Sequence, residues 1–233
     1  MSTAPGNVDL LWIDLRSGRT DLEALSAVLS PEERERLARL AHPDLRRRRI
    51  LCRHALRHAL GERLGLPPGQ VPLGTGPQGK PVLDPRNRDG KPVKTLHFNL
   101  SHTDHLALLA IGDRELGVDL EELGRLDSMD PRPVADRFFA PAERAALQSK
   151  APGLARDIEF LRIWTRKEAL IKAVGRGLHC PLDAFAVPTG PLPADGTDVG
   201  CPEGSLRRWR LFDIREEDAG RPDWVAALAV AEP

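Results

Sequence analysis

Three cysteines, Cys52, Cys180 and Cys201, are all that the 233-residue chain contains. Their number is odd and their spacing is not that of a metal site, which fits a reducing compartment and assigns them neither a disulfide nor a catalytic role. No run of eighteen apolar residues occurs, so no transmembrane helix is expected. Met1-Ser2-Thr3-Ala4-Pro5-Gly6 lacks the basic and apolar regions of a secretory signal, and the expectation is a soluble, cytoplasmic protein. Net charge is also missing. With 34 basic against 34 acidic side chains, no global field recruits nucleic acid or an anionic membrane. Lysine is scarce: only six of the basic residues are Lys, and the rest are Arg, whose planar fork suits bidentate contact with phosphate. What is present is enough apolar sequence, 41%, for one large domain or two small ones.

The first half reads as a strand over Val8–Leu15, then a helix announced by Ser30-Pro31-Glu32-Glu33, with Ser as N-cap, Pro at N1 and Glu33 closing a capping box. His42-Pro43 interrupts, and a second helix is expected from about Asp44 to Leu64. Ten arginines stand against five acids between Pro31 and Arg63, several of them one turn apart. A solvated face explains such a run, and a phosphate cradle is the functional alternative. His54 and His58 lack a third ligand and read as ordinary helix residues. Gly79-Lys80-Pro81-Val82 and Gly90-Lys91-Pro92-Val93 echo each other but are too short for a structural repeat. Leu96–His102 is a strand that delivers Ser101 and His102 at its end. Neighbours on a strand point to opposite faces, so His102 cannot activate Ser101, and anion contact is the better reading.

In the second half the strand Glu115–Glu121 places Asp119 and Glu121 on one face. Helices are expected over Pro131–Phe139 and Pro141–Lys150, with Phe138 and Phe139 in the core. A longer helix is expected from about Asp157 to Gly175, and strands over 185–187, 206–214 and 224–230, with a Pro- and Gly-rich loop from Thr189 to Gly204. On the long helix Glu168 and Lys172 are one turn apart. With Asp119 and Glu121, Glu168 makes a set of hard oxygen ligands of the kind Mg²⁺ takes beside substrate phosphates.

The ordered blocks Gly79-Lys80-Pro81, Phe98-Asn99-Leu100-Ser101-His102, Gly117-Val118-Asp119-Leu120-Glu121, Arg137-Phe138-Phe139 and Trp164-x-x-Lys167-Glu168-Ala169-x-x-Lys172-x-x-Gly175-x-Gly177 resemble the Sfp-type 4′-phosphopantetheinyl transferases, over about residues 30 to 187. The resemblance implies an α+β fold of two similar lobes related by a pseudo-twofold axis, with residues 1–113 the N-terminal lobe and 114–233 the C-terminal lobe. It implies Mg²⁺-dependent transfer of the 4′-phosphopantetheine arm of coenzyme A to a serine of an apo acyl or peptidyl carrier protein, by a monomer, with no nucleic acid or membrane partner. The carriers of that family belong to fatty-acid, polyketide and nonribosomal-peptide systems. By resemblance Asp119, Glu121 and Glu168 hold the metal, and Glu168 or a Mg²⁺-bound water is the base. Lys172 meets the departing phosphate, and Lys167 assists. Arg34, Arg36, Arg49, Lys80, Ser101 and His102 contact the phosphates of CoA, and the 137–143 region meets the carrier. A catalytically silent CoA- or carrier-binding module is the alternative, and a phosphohydrolase that passes the phosphoryl group to water is a third reading.

Overall fold

A computed structural model of the chain describes residues 2–4, 7–16, 21–76, 81–86, 90–128, 130–175, 180–200, 207–214 and 223–233. In chain order these form β1 (Ser2–Ala4), β2 (Val8–Asp14), α1 (Leu22–Ser26), α2 (Pro31–Ala38), α3 (Pro43–Leu64), β3 (Leu73–Thr75), β4 (Pro81–Leu83), β5 (His97–His102), β6 (Leu106–Gly112), β7 (Leu116–Glu122), α4 (Arg132–Phe138), α5 (Pro141–Gln148), α6 (Leu154–Val174), β8 (Thr197–Gly200), β9 (Arg208–Ile214) and β10 (Trp224–Ala231). Among the described residues no helix is long and apolar enough to cross a membrane.

Two four-stranded antiparallel sheets, ordered β1-β2-β6-β5 and β7-β10-β9-β8, carry the lobes. In each lobe a strand leads into a set of helices ending in a long one, and the last of the strands that follow returns to the first. Thus β2 pairs with β6 and β6 with β5, while β7 pairs with β10 and β10 with β9. The α+β class with two similar halves is therefore written in the strand order. Every residue of β6 is buried, as its unbroken apolar run requires. Leu10 and Leu108 of the first lobe share one core with Val118, Leu120 and Leu228 of the second, so apolar burial holds the lobes together.

Both lobes also contain the same buried ion pair. In the first, the Glu33 carboxylate accepts from Ser30 N at the start of α2 and from Arg57 Nε of α3, at 2.9 and 2.7 Å. Arg57 Nη1 donates on to Pro68 O and Val71 O. In the second, Glu143 Oε2 accepts from Ala140 N at the start of α5, at 2.7 Å, and pairs with Lys167 Nζ of α6 at 2.9 Å. Lys167 donates on to Leu182 O and Phe185 O. Pro31, Glu33, Arg57 and the left-handed helix stop Gly65 recur at one constant offset as Pro141, Glu143, Lys167 and Gly175. An acid at N3 caps its own helix and draws in a cation from the long helix, and that cation fastens the segment beyond it.

Three features depart from the sequence-based expectations. Residues 185–187 are not a strand, because their backbone groups are bonded to side chains: Phe185 O to Lys167 and Val187 N to Glu143. The 189–204 stretch holds a short edge strand, β8, whose polar Thr-Asp-Val-Gly sequence gives no apolar signal. In the Pro- and Gly-rich region β3 and β4 pair as a two-stranded ladder.

Candidate active site

Trp164, Glu168 and Lys172 stand one turn apart on α6 and so line a single face. Opposite them, β7 sends Val118 and Leu120 into the shared core and turns Asp119 and Glu121 the other way. Gly117 sets the spacing. A Cβ there would lie 2.2 Å from Ala169 O and 2.3 Å from Ala173 N, so only glycine lets β7 lie this close to the helix. Gly117→Ala is expected to cost about 3 kcal/mol through overpacking, read as a lower denaturant midpoint, and to depress activity by pushing Glu168 and Lys172 off the strand.

The acids open into a cleft of about 820 Å³, lined also by Ser101, His102, Thr103, His105 and Arg125. Asp119 is only 4% exposed. Its Oδ1 accepts from Ser101 Oγ at 2.9 Å and from Lys172 Nζ at 2.5 Å, while Oδ2 is buried without a partner. Glu121 Oε1 accepts from Arg125 Nη1 at 2.5 Å and Trp164 Nε1 at 3.1 Å. Burial, with Asp119 nearby, pushes the Glu121 carboxyl above the ordinary range, although its Arg125 and Trp164 bonds oppose the shift. Burial also raises Glu168, reinforced by Asp119 and Glu121 and opposed by Lys172.

Among the described residues no three His, Cys, Asp or Glu side chains meet as a ready coordination sphere. The donor set nonetheless fits a hard divalent cation. Three carboxylates face one space, and burial, reinforced by Asp119, raises the carboxyls of the other two, Glu121 and Glu168. Asp119 Oδ2, buried without a hydrogen-bond partner, is an oxygen of the kind a hard divalent cation takes.

His102 is half-buried beside Ser101, with Nδ1 3.2 Å from Thr103 O. Burial first, then Arg49, Arg48 and Lys172, press its imidazole toward the neutral form. That concentration of positive charge is suited to an anion. Farther along β5, Asn99 and Leu100 line a hollow of about 160 Å³ with Arg49, Arg53 and Pro81. Arg49 is exposed, as are Arg34 and Arg36 on α2, and Arg36 and Arg49 both act electrostatically on Arg53. Lys80 lies outside the described residues. Cys201 is also outside them. Cys52 and Cys180 are buried, and burial pushes the Cys52 thiol up to about 11, far from a nucleophile.

The structure corrects the expectation for Lys167. Its side chain is 0% exposed, and its three donors are taken by Glu143, Leu182 O and Phe185 O, so it holds the fold and is not available to a phosphate of CoA. A residue next to Glu168 on a helix faces about 100° away from it. Glu143, placed by sequence at the carrier-facing region, is likewise fully buried. Phe139 stacks on Phe160 in the core at 5.2 Å, but Phe138 is only partly buried and meets Trp164 edge-on at 6.0 Å. The sequence reading passed over Trp164 as a polar group. Its position one turn before Glu168 on the acidic face was the available signal.

Comparison with known proteins identifies the family. Residues 115–229 match the family model described as the 4′-phosphopantetheinyl transferase superfamily, and residues 16–113 match that of the 4′-phosphopantetheinyl transferase N-terminal region. The chain is 36% identical to the 4′-phosphopantetheinyl transferase HetI of Nostoc sp. over 225 residues, 95% of this chain and 86% of that protein. It is 32% identical to a 4′-phosphopantetheinyl transferase of Bacillus subtilis over 211 residues, 89% of this chain and 87% of that one. With 4′-phosphopantetheinyl transferase Sfp of Bacillus subtilis it shares 28% identity over 177 residues, 76% of this chain and 74% of Sfp. Two matched regions, one for each lobe, and relatives aligned over nearly the whole length place the chain in the 4′-phosphopantetheinyl transferase superfamily.

Proposed function

We propose that the chain transfers the 4′-phosphopantetheine arm of coenzyme A to a serine hydroxyl of an apo acyl or peptidyl carrier protein and releases adenosine 3′,5′-bisphosphate. The observation that carries this reading is the convergence of Asp119, Glu121, Glu168 and Lys172 with Ser101 and His102 on one cleft. A silent binding module would have no use for acids and a lysine packed so closely. The lobes divide near residue 113 in this reading. The first supplies phosphate contacts through Ser101, His102, Arg49, Lys80 and, more distantly, Arg34 and Arg36. The second supplies the acids and the carrier surface, and the protein acts as a cytoplasmic monomer.

The reaction displaces the α-phosphate side of the CoA pyrophosphate from the β-phosphorus, so positioning and charge neutralisation supply most of the acceleration. Asp119, Glu121 and Glu168 would hold Mg²⁺, which when bound neutralises charge on the pyrophosphate oxygens. Glu168, which faces the cleft from α6, is the carboxylate placed to accept the serine proton. Lys172 leaves Asp119 for the departing phosphate. Exposed Arg132 and Arg137 on α4 offer positive charge to an acidic carrier helix.

Lys172→Ala is expected to lower kcat by roughly 10²-fold with little change in the KM for CoA, because its contact strengthens as charge builds on the leaving group. A change confined to KM would remove it from the transition state. The activity is tested by following adenosine 3′,5′-bisphosphate. Release that requires the carrier's serine, and stops when that serine is Ala, supports transfer. Release without the carrier identifies a hydrolase.

A further inference from the structure

A glutamate at a strand end has a flexible side chain, and a cation ligand works best when one oxygen is held in place. Both donors that reach Glu121, Arg125 Nη1 and Trp164 Nε1, converge on Oε1. Asp119 is treated in the same way: Ser101 and Lys172 both take Oδ1 and leave Oδ2 bare. The two β7 carboxylates thus each have one oxygen committed to the protein. Of the donors to Glu121, Arg125 is half exposed, so its grip is screened by water. Trp164 is partly buried, fixed by its helix and by the edge of Phe138 at 6.0 Å, with Arg137 over the other ring at 5.0 Å. An indole N–H also orients a carboxylate without adding a positive charge that would repel a metal ion.

We infer that Trp164 is a positioning residue, whose N–H pins Glu121 Oε1 so that Oε2 faces the cleft as a ligand for a divalent cation. This rests on the divalent-cation reading of the cleft. It makes the aromatic pair Phe138–Trp164 part of the metal-binding apparatus and not merely the cover of the core.

The test uses Mn²⁺ as a spectroscopic probe, titrated into the full chain without CoA, and compares wild type, Trp164→Phe, Glu121→Gln and the double variant, with thermal melts alongside. Trp164→Phe keeps the ring against Phe138 and loses only the N–H. The inference predicts Mn²⁺ affinity weaker by roughly ten- to a hundredfold, a melting temperature close to wild type, and no further loss on adding Trp164→Phe to Glu121→Gln. Trp164→His, which retains a ring N–H, is expected to recover part of the affinity. Unchanged affinity in Trp164→Phe, or an equal loss in both backgrounds, overturns the positioning role while leaving the metal site standing. Absence of saturable Mn²⁺ binding by the wild type would overturn the metal reading, and the inference with it.

Discussion

Replacing Glu168 by Gln, or Asp119 by Asn, is expected to reduce transfer by at least about 10³-fold, the several kcal/mol that charge neutralisation by a bound metal supplies, while the metal-free Glu168→Gln protein becomes more heat-stable. The second half of that expectation follows from proton linkage. Glu121 and Glu168 have carboxyl pKa values above the ordinary range, chiefly because of burial, so the folded state binds their protons more tightly than the unfolded state does. Their contribution to stability is therefore greatest when they are protonated, and is lost as pH rises from the ordinary carboxylate range through their raised values. Above those raised values the ionised acids strain the fold, and either an amide or a divalent cation relieves them. Scanning calorimetry should show Mg²⁺ raising the melting temperature of the wild type and much less that of Glu168→Gln. Either variant turning over near the wild-type rate would remove its carboxylate from the site.

Lys167→Met should do the reverse of Lys172→Ala: it should collapse stability and spare the chemistry of whatever protein remains folded. Removing Lys167 leaves Glu143 charged in a wholly buried position and frees Leu182 O and Phe185 O. Breaking such a pair costs about 3–5 kcal/mol, or roughly 10 °C in melting temperature for a chain of this size. Denaturant titration checks the loss. The KM for CoA, measured on the folded fraction at low temperature, should stay near the wild-type value. A stable Lys167→Met protein with a raised KM would return Lys167 to the coenzyme and contradict its placement here.

The site was more legible in the sequence than the fold that holds it. Alternation on β7 separates Asp119 and Glu121 from Val118 and Leu120, and helical spacing joins Glu168 to Lys172, because both periods are local. Which face of α6 meets β7 is not local. It is decided by Gly117 against Ala169 and Ala173, and this contact sends Lys167 inward and Glu168 outward. The constellation Ser30-Pro31-Glu32-Glu33-Arg34 and Ala140-Pro141-Ala142-Glu143-Arg144 lay in plain view as the trace of two similar lobes. Only the paired cations Arg57 and Lys167, and the carbonyls they reach, give that short likeness its physical meaning. Edge strand β8 and the 185–187 segment were misread for a related reason. Side-chain hydrogen bonds to the backbone stand in for sheet pairing in one, and polar residues form a strand in the other.

The most direct measurement is the intact mass of an apo carrier protein after incubation with this chain, coenzyme A and Mg²⁺, beside a sample from which the metal has been chelated. The carrier should gain the mass of one 4′-phosphopantetheine arm on its serine in the first sample and stay unmodified in the second. An unmodified carrier in both samples would contradict the transfer, and equal modification in both would contradict the role given to Asp119, Glu121 and Glu168.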